Sequence, residues 1–126
     1  MNNSYYFSIS VQFFSDYDVS KFEKILGYKA KKLTYLKDSV SPVPSAKYYY
    51  RTKEFNDINV NELFEQFINT IYSKVNLIKT EIENNNGKLN ICIVFTNFVE
   101  KPCLYMSNNT LTQLSELGAS YDIDFI

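Results

Sequence analysis

A strict alternation of apolar and polar side chains near the start of the chain most constrains the fold. From Tyr5 to Phe14 every second residue is large and apolar, and the residues between them bear hydroxyl or amide groups. Because successive side chains of a strand point to opposite faces, this pattern predicts a strand with one buried and one solvated face. The face predicted to be buried consists of Tyr5, Phe7, Ile9, Val11 and Phe13. A second layer must cover that face.

Segments of helical periodicity and of strand-like composition alternate along the rest of the chain. The predicted helices begin at Asp16 or Asp18, at Asn59 or Asn61, and at Ser107 or Asn108. The second of them extends to Ile82, with or without a break. Further strands are predicted over 30–36, 48–52, 88–98, 104–106 and 121–125. The order βαββαββαβ predicts one α+β domain over residues 1–126, with a mixed or mostly antiparallel sheet and helices packed on it.

Length and composition indicate an ordinary globular domain. The chain has 126 residues, of which 45% are hydrophobic, and its formal net charge is -1. It lacks the run of about 18 consecutive apolar residues that a membrane-spanning helix needs. Residues 1–4 lack the basic and apolar regions of a signal peptide, so we expect a cytoplasmic protein with no membrane partner.

Missing residue types exclude several kinds of chemistry. The chain has no histidine, which removes the usual general base near neutral pH and the commonest zinc ligand. Cys92 and Cys103 lack metal-ligand spacing, and Cys92 lies in an apolar run where a thiol acts as a small hydrophobic group. The three glycines form no phosphate-binding motif, and nothing in the spacing of the 14 acidic residues selects a catalytic pair. We therefore predict no metal, no cofactor and no enzymatic activity, with a carboxylate-based hydrolase as the third functional alternative.

Two segments resemble a known family. The segment from Met106 to Ile126 contains Leu-Ser, a short helix with Leu-x-x-Leu spacing, Leu-Gly and a strand of alternating acidic residues. Together with the first strand and the helix ending in Ile25-Leu26-Gly27, it resembles the bacterial domain-of-unknown-function family 4279. The resemblance implies a small α+β domain without established catalytic residues. Related small domains recur among immunity proteins of bacterial toxin systems.

Charge is unevenly distributed along the chain. The segment 21–53 carries nine basic and two acidic residues, a balance of +7, whereas the chain from Glu54 onward has a balance of -6. Such asymmetry can produce complementary surface patches that attract a charged partner. The alternative is that elements from both halves interleave in space and the asymmetry disappears. A sequence pI of about 5.4 argues against a nucleic-acid partner.

The residues predicted to contact a partner come from a loop and two strands. Aromatic and cationic side chains of the kind enriched in binding hot spots follow a proline-containing loop, and two carboxylates share one face of the last strand. The candidates are Lys37, Asp38, Lys47, Tyr48, Tyr50, Arg51, Asp122 and Asp124. Since neighbouring strand residues point to opposite faces, Tyr49 opposes Tyr48 and Tyr50, and one of those faces is expected to lie in the core.

The leading functional hypothesis is a non-enzymatic immunity protein. Its partner would be a cognate bacterial toxin domain, whose active site or a neighbouring exosite it would cover. The alternative is a small-ligand-binding or regulatory domain, which would need a tyrosine-lined pocket of about 300 Å³ or more between sheet and helices. An unprotected edge strand is a further potential docking site, but the sequence does not indicate which strand lies at the edge.

Overall fold

Five strands form one mixed sheet, and four helices pack against one of its faces. The computed structural model describes residues 3–36, 45–56, 59–98, 100, 102 and 104–126. The strands are β1 (Ser4–Phe13), β2 (Lys32–Leu36), β3 (Ser45–Arg51), β4 (Gly87–Thr96) and β5 (Ala119–Phe125). The helices are α1 (Val19–Leu26), α2 (Val60–Tyr72), α3 (Val75–Asn84) and α4 (Asn108–Leu117). The predicted α+β class is confirmed.

The sheet is built around β1. The strand order is β2-β3-β1-β4-β5, in which β1 pairs antiparallel with both neighbours and β5 pairs parallel with β4. The parallel pair is connected through α4, as a parallel connection requires a crossover. β2 and β5 are the two outer strands of this sheet.

The helices cover the face that the alternation of β1 predicted to be buried. The apolar side chains of β1 on this inner face are at most 1% exposed. Phe7 contacts the rings of Phe64 and Phe67 on α2, at centroid distances of 5.3 and 5.5 Å. The buried apolar side chains of all four helices belong to the same core. No helix in the described part of the chain is both long and apolar enough to cross a membrane.

Capping residues set several helix ends where the sequence predicted them. Asp18 accepts a hydrogen bond from the Ser20 amide (3.1 Å) at the start of α1. Ser107 accepts one from the Thr110 amide (3.2 Å) at the start of α4. The long periodic segment divides into α2 and α3 at Ser73.

One predicted strand is absent. Residues 104–106 form no strand, and both sides of β4 are paired, with β1 and with β5. The segment instead connects β4 to α4 along α2, where the Tyr105 amide donates to the Asn61 side chain (3.0 Å).

The turn before β4 brings Gly87 against the core. A Cβ atom at Gly87 would lie 2.8 and 2.9 Å from two atoms of the Phe13 ring, which is fully buried. Gly118 differs, because it ends α4 with a φ of 69° and a Cβ there would meet nothing within 4 Å. Close packing therefore requires glycine at position 87, whereas at position 118 the left-handed backbone favours glycine but leaves room for a side chain.

Substituting Gly87→Ala should lower the free energy of unfolding by about 1–3 kcal/mol, because the Phe13 ring must shift inside a filled core. Gly118→Asn should change it by less than about 0.5 kcal/mol, because asparagine tolerates the left-handed conformation and has room. Urea denaturation of the two variants measures both values. Equal losses would contradict the packing role of Gly87.

Candidate partner-binding surface

The face of the sheet opposite the helices is the candidate surface, here called the outer face. Strand pairing places side chains from four strands on it. They include Ser4, Tyr6, Ser8, Ser10, Gln12, Lys47, Tyr49, Arg51, Lys88, Asn90, Cys92, Val94, Thr96, Ser120, Asp122 and Asp124. Among these, Cys92 and Val94 are buried, yet neither belongs to the core beneath the helices. Their burial is therefore due to neighbours on the outer face itself.

An arginine and two tyrosines form the centre of this face. The Arg51 guanidinium carbon lies 4.0 Å from the centroid of the Tyr6 ring, which is a cation–π contact. Burial, reinforced by the nearby Tyr6 hydroxyl, raises the pKa of Tyr49. Ser8 pairs with Arg51 and is only 7% exposed. These contacts hold Arg51 in place, which lowers the entropy that binding would cost.

A thiol beside a carboxylate lies on the β4–β5 side of the centre. The Cys92 sulfur is 3.6 Å from an Asp124 carboxylate oxygen, and Cys92 is a free thiol. Burial, reinforced by the negative charge of Asp124, raises the pKa of the Cys92 thiol to about 12. The thiol is therefore protonated at neutral pH and is a poor nucleophile. This environment favours a packing role for Cys92 and no covalent chemistry.

Charge is separated across the outer face. Lys47 and Arg51 lie on β3, whereas Asp122 and Asp124 lie on β5 and are exposed. Three strand spacings separate β3 from β5 in the sheet order, a distance of about 14 Å. Lys88 on β4 adds a further cation between them. The asymmetry seen along the sequence thus persists in space on this face.

Four of the predicted contact residues lie on the outer face in two separate pairs, Lys47 and Arg51 on β3, and Asp122 and Asp124 on β5. Lys37 and Asp38 lie outside the described residues.

Tyr48 and Tyr50 do not belong to this surface. The prediction of Tyr48 as a partner contact was wrong because its side chain is fully buried, whereas Tyr50 is half-buried and remains a prediction. Tyr48 is fully buried under α1, where its ring packs edge-on against Phe22 and its hydroxyl donates to the Tyr28 carbonyl oxygen (2.7 Å). Tyr50 lies on the same inner face and stacks on the Tyr28 ring, with centroids 4.4 Å apart. The alternation of β3 instead turns Tyr49 and Arg51 outward, in agreement with the prediction that one face enters the core.

Sequence reasoning missed Tyr6, Ser8 and Tyr49 as members of the central cluster. The alternation of β1 does place Tyr6 and Ser8 on the solvated face. What no sequence pattern shows is that β3 pairs with β1, so that Arg51 lies opposite Ser8 and close to Tyr6.

Two concave sites lie among the described residues. A pocket of about 220 Å³ is lined by Tyr5, Val60, Phe95 and Phe98 among others, and an open groove of about 250 Å³ lies over Phe7. Both are smaller than the tyrosine-lined pocket of about 300 Å³ that a ligand-binding domain would need. Among the described residues, no three acidic or thiol side chains are grouped as a metal site requires.

Comparison with protein families assigns the chain to one family. The family described as "Domain of unknown function (DUF4279)" matches residues 3–126, essentially the whole chain. The chain belongs to the DUF4279 family. The resemblance that the two ends of the sequence suggested is thereby confirmed, whereas the family description assigns no activity. Neither the curated proteins nor the solved structures compared with the chain gave a match.

The Cys92 thiol should react at least a hundredfold more slowly with a thiol reagent at pH 8 than an unperturbed cysteine, because its raised pKa leaves little thiolate. The reaction rate of the Cys103→Ser variant, measured from pH 7 to 10, checks this. Asp124→Asn in the same background should react faster, since it removes the nearby negative charge. A rate typical of a free thiol would contradict the buried position of Cys92.

Tyr48→Phe and Tyr49→Phe should differ in their effect on stability. Removing the Tyr48 hydroxyl leaves the Tyr28 carbonyl without its donor and should cost about 0.5–1.5 kcal/mol of unfolding free energy. Removing the Tyr49 hydroxyl on the outer face should cost less than about 0.5 kcal/mol. Thermal and urea denaturation measure both, and a larger loss for Tyr49→Phe would contradict this assignment.

Proposed function

We propose that this chain is a non-enzymatic, cytoplasmic immunity protein that binds a cognate bacterial toxin domain through its outer face. It neutralises the toxin by covering the active site or a neighbouring exosite. Binding needs no cofactor, and the interface is of ordinary size, about 800 Å² on each partner.

The observation that carries this proposal is the fixed Tyr6–Arg51–Tyr49 cluster at the centre of the outer face. Arginine and tyrosine are the residue types that dominate binding energy in protein interfaces, above all near the interface centre. The Arg51 side chain is already held by its cation–π contact, so less of its freedom remains to be lost on binding. A sheet face with such a centre is a surface suited to a protein partner.

The charges around the cluster support a partner that is itself charged. Asp122 and Asp124 on one side of the cluster, with Lys47 on the other, would accelerate encounter with a complementary surface and orient it. The exposed aspartates suit a toxin whose active site is basic, as in a nuclease. The immunity role itself rests on the resemblance to small domains that recur in toxin systems.

The test begins by capturing the partner on the tagged chain and expressing it alone in cells. The captured protein should be toxic, and co-expression of this chain should restore growth. Arg51→Glu combined with Tyr49→Ser should weaken the purified complex at least about tenfold, because it removes two central contacts. Isothermal titration calorimetry measures this loss.

Lys79→Glu is the matched control for the charge change, since Lys79 is exposed on α3 on the helix side of the sheet. It should leave the affinity within about twofold of the unmodified chain. A captured protein that is not toxic would contradict the immunity role. Equal effects of the outer-face and α3 variants would contradict the proposed interface.

A further inference from the structure

At Tyr121 and Ile123, the outer strand β5 has an edge to which no described strand pairs, and its backbone there is oriented to accept another strand. Ile126 donates its amide to Phe95 (2.8 Å) and accepts from the Asn97 amide (3.1 Å), so its peptide groups point toward β4. Peptide groups alternate in direction along a strand, and the odd-numbered positions of β5 therefore point away from β4. The N–H and C=O groups of Tyr121 and Ile123 consequently face the open edge of the sheet.

The side chains of this edge alternate in chemistry. Tyr121 is 45% exposed on the helix side of the sheet, and Ile123 is half-buried beside it. Asp122 and Asp124 are exposed on the outer face. An incoming strand would thus meet apolar side chains on one of its faces and two carboxylates on the other.

The carboxylates disfavour a second copy of this chain as the added strand. Antiparallel pairing of two β5 strands centred on Ile123 would place Asp122 of each copy directly opposite Asp124 of the other. Like charges directly opposite each other in a sheet are destabilising, and charged edge strands commonly prevent self-association in this way. A strand with Lys or Arg at the same positions would instead be stabilised by the opposite charge.

We infer that the β5 edge binds an extended segment of the partner as a sixth strand, one in which apolar residues alternate with Lys or Arg. The segment's backbone hydrogen-bonds to Tyr121 and Ile123, and its basic side chains lie against Asp122 and Asp124. This inference rests on the proposed function, because it names the part of the toxin domain that docks beside the outer face. It also extends the interface from the face of the sheet to its edge.

The probe is a seven-residue peptide of alternating Val and Lys, compared with a peptide of alternating Val and Glu. Hydrogen exchange followed by NMR should show at least tenfold slower exchange at the Tyr121 and Ile123 amides with the Lys peptide, and no change with the Glu peptide. The variant Asp122→Lys with Asp124→Lys should reverse this preference. Glu54→Lys with Glu83→Lys, at two exposed positions outside β5, should keep it.

A proline variant tests the backbone contribution directly. Tyr121→Pro removes an amide that points away from β4, so it should abolish protection by the Lys peptide while the sheet is retained. Tyr121→Ala, which keeps the amide, should retain protection. Circular dichroism confirms that both variants are folded.

Three outcomes would overturn the inference. They are protection by both peptides alike, protection by neither, or self-association of the unmodified chain that Tyr121→Pro abolishes, which would make a second copy the occupant. The peptide experiment uses no toxin, so its result is independent of the test of function. Peptide binding together with a harmless captured protein would reject the immunity role and leave the β5 edge as a docking site.

Discussion

The pairing of β1 between β3 and β4 is the constraint on which the rest of the structure depends. Ten residue pairs fix β1 against β4, from Ser4 with Thr96 to Phe13 with Gly87. A shift of one residue would turn Phe7 and its inner-face neighbours toward solvent, so burial of that face fixes the register strongly. The same register brings Gly87 against Phe13, where a larger residue does not fit.

The same register determines which side chains are neighbours on the outer face. Once Ser8 is fixed opposite Cys92 on one side and Arg51 on the other, the guanidinium reaches the Tyr6 ring and the thiol reaches Asp124. Lys47 then lies on one side of the Tyr6–Arg51–Tyr49 cluster, and Asp122 and Asp124 lie on the other. The candidate surface is thus a consequence of how the core is packed, and it needs no separate structural element.

Local pattern was sufficient to predict most elements, the inner face of β1 and the outward direction of Asp122 and Asp124. Periodicity and capping residues such as Asp18 and Ser107 act within a few positions of the chain, so a sequence displays them directly. Long-range pairing is not displayed in this way. The sequence could not indicate which of Tyr48 and Tyr49 enters the core, because a single β-strand rich in tyrosine has two similar faces.

Because the sequence does not show long-range strand pairing, it also could not place residues 104–106 or identify the edge strands. Residues 104–106 have strand-like composition but form no strand, and β5 is the strand that pairs with the second side of β4. The free edge was also undefined until the strand order β2-β3-β1-β4-β5 was known. Tertiary pairing thus overrides local propensity where elements compete for one neighbour.

The central claim is that partner binding uses the outer face and the β5 edge, with the helices turned away from the partner. Hydroxyl-radical footprinting of the chain, alone and in complex with its captured partner, tests this most directly. The account predicts that oxidation of Tyr6, Tyr49 and Tyr121 falls at least about fivefold on binding, whereas that of Leu77, 58% exposed on α3, is unchanged. Protection of Leu77, with Tyr6 and Tyr49 as reactive as before, would contradict it.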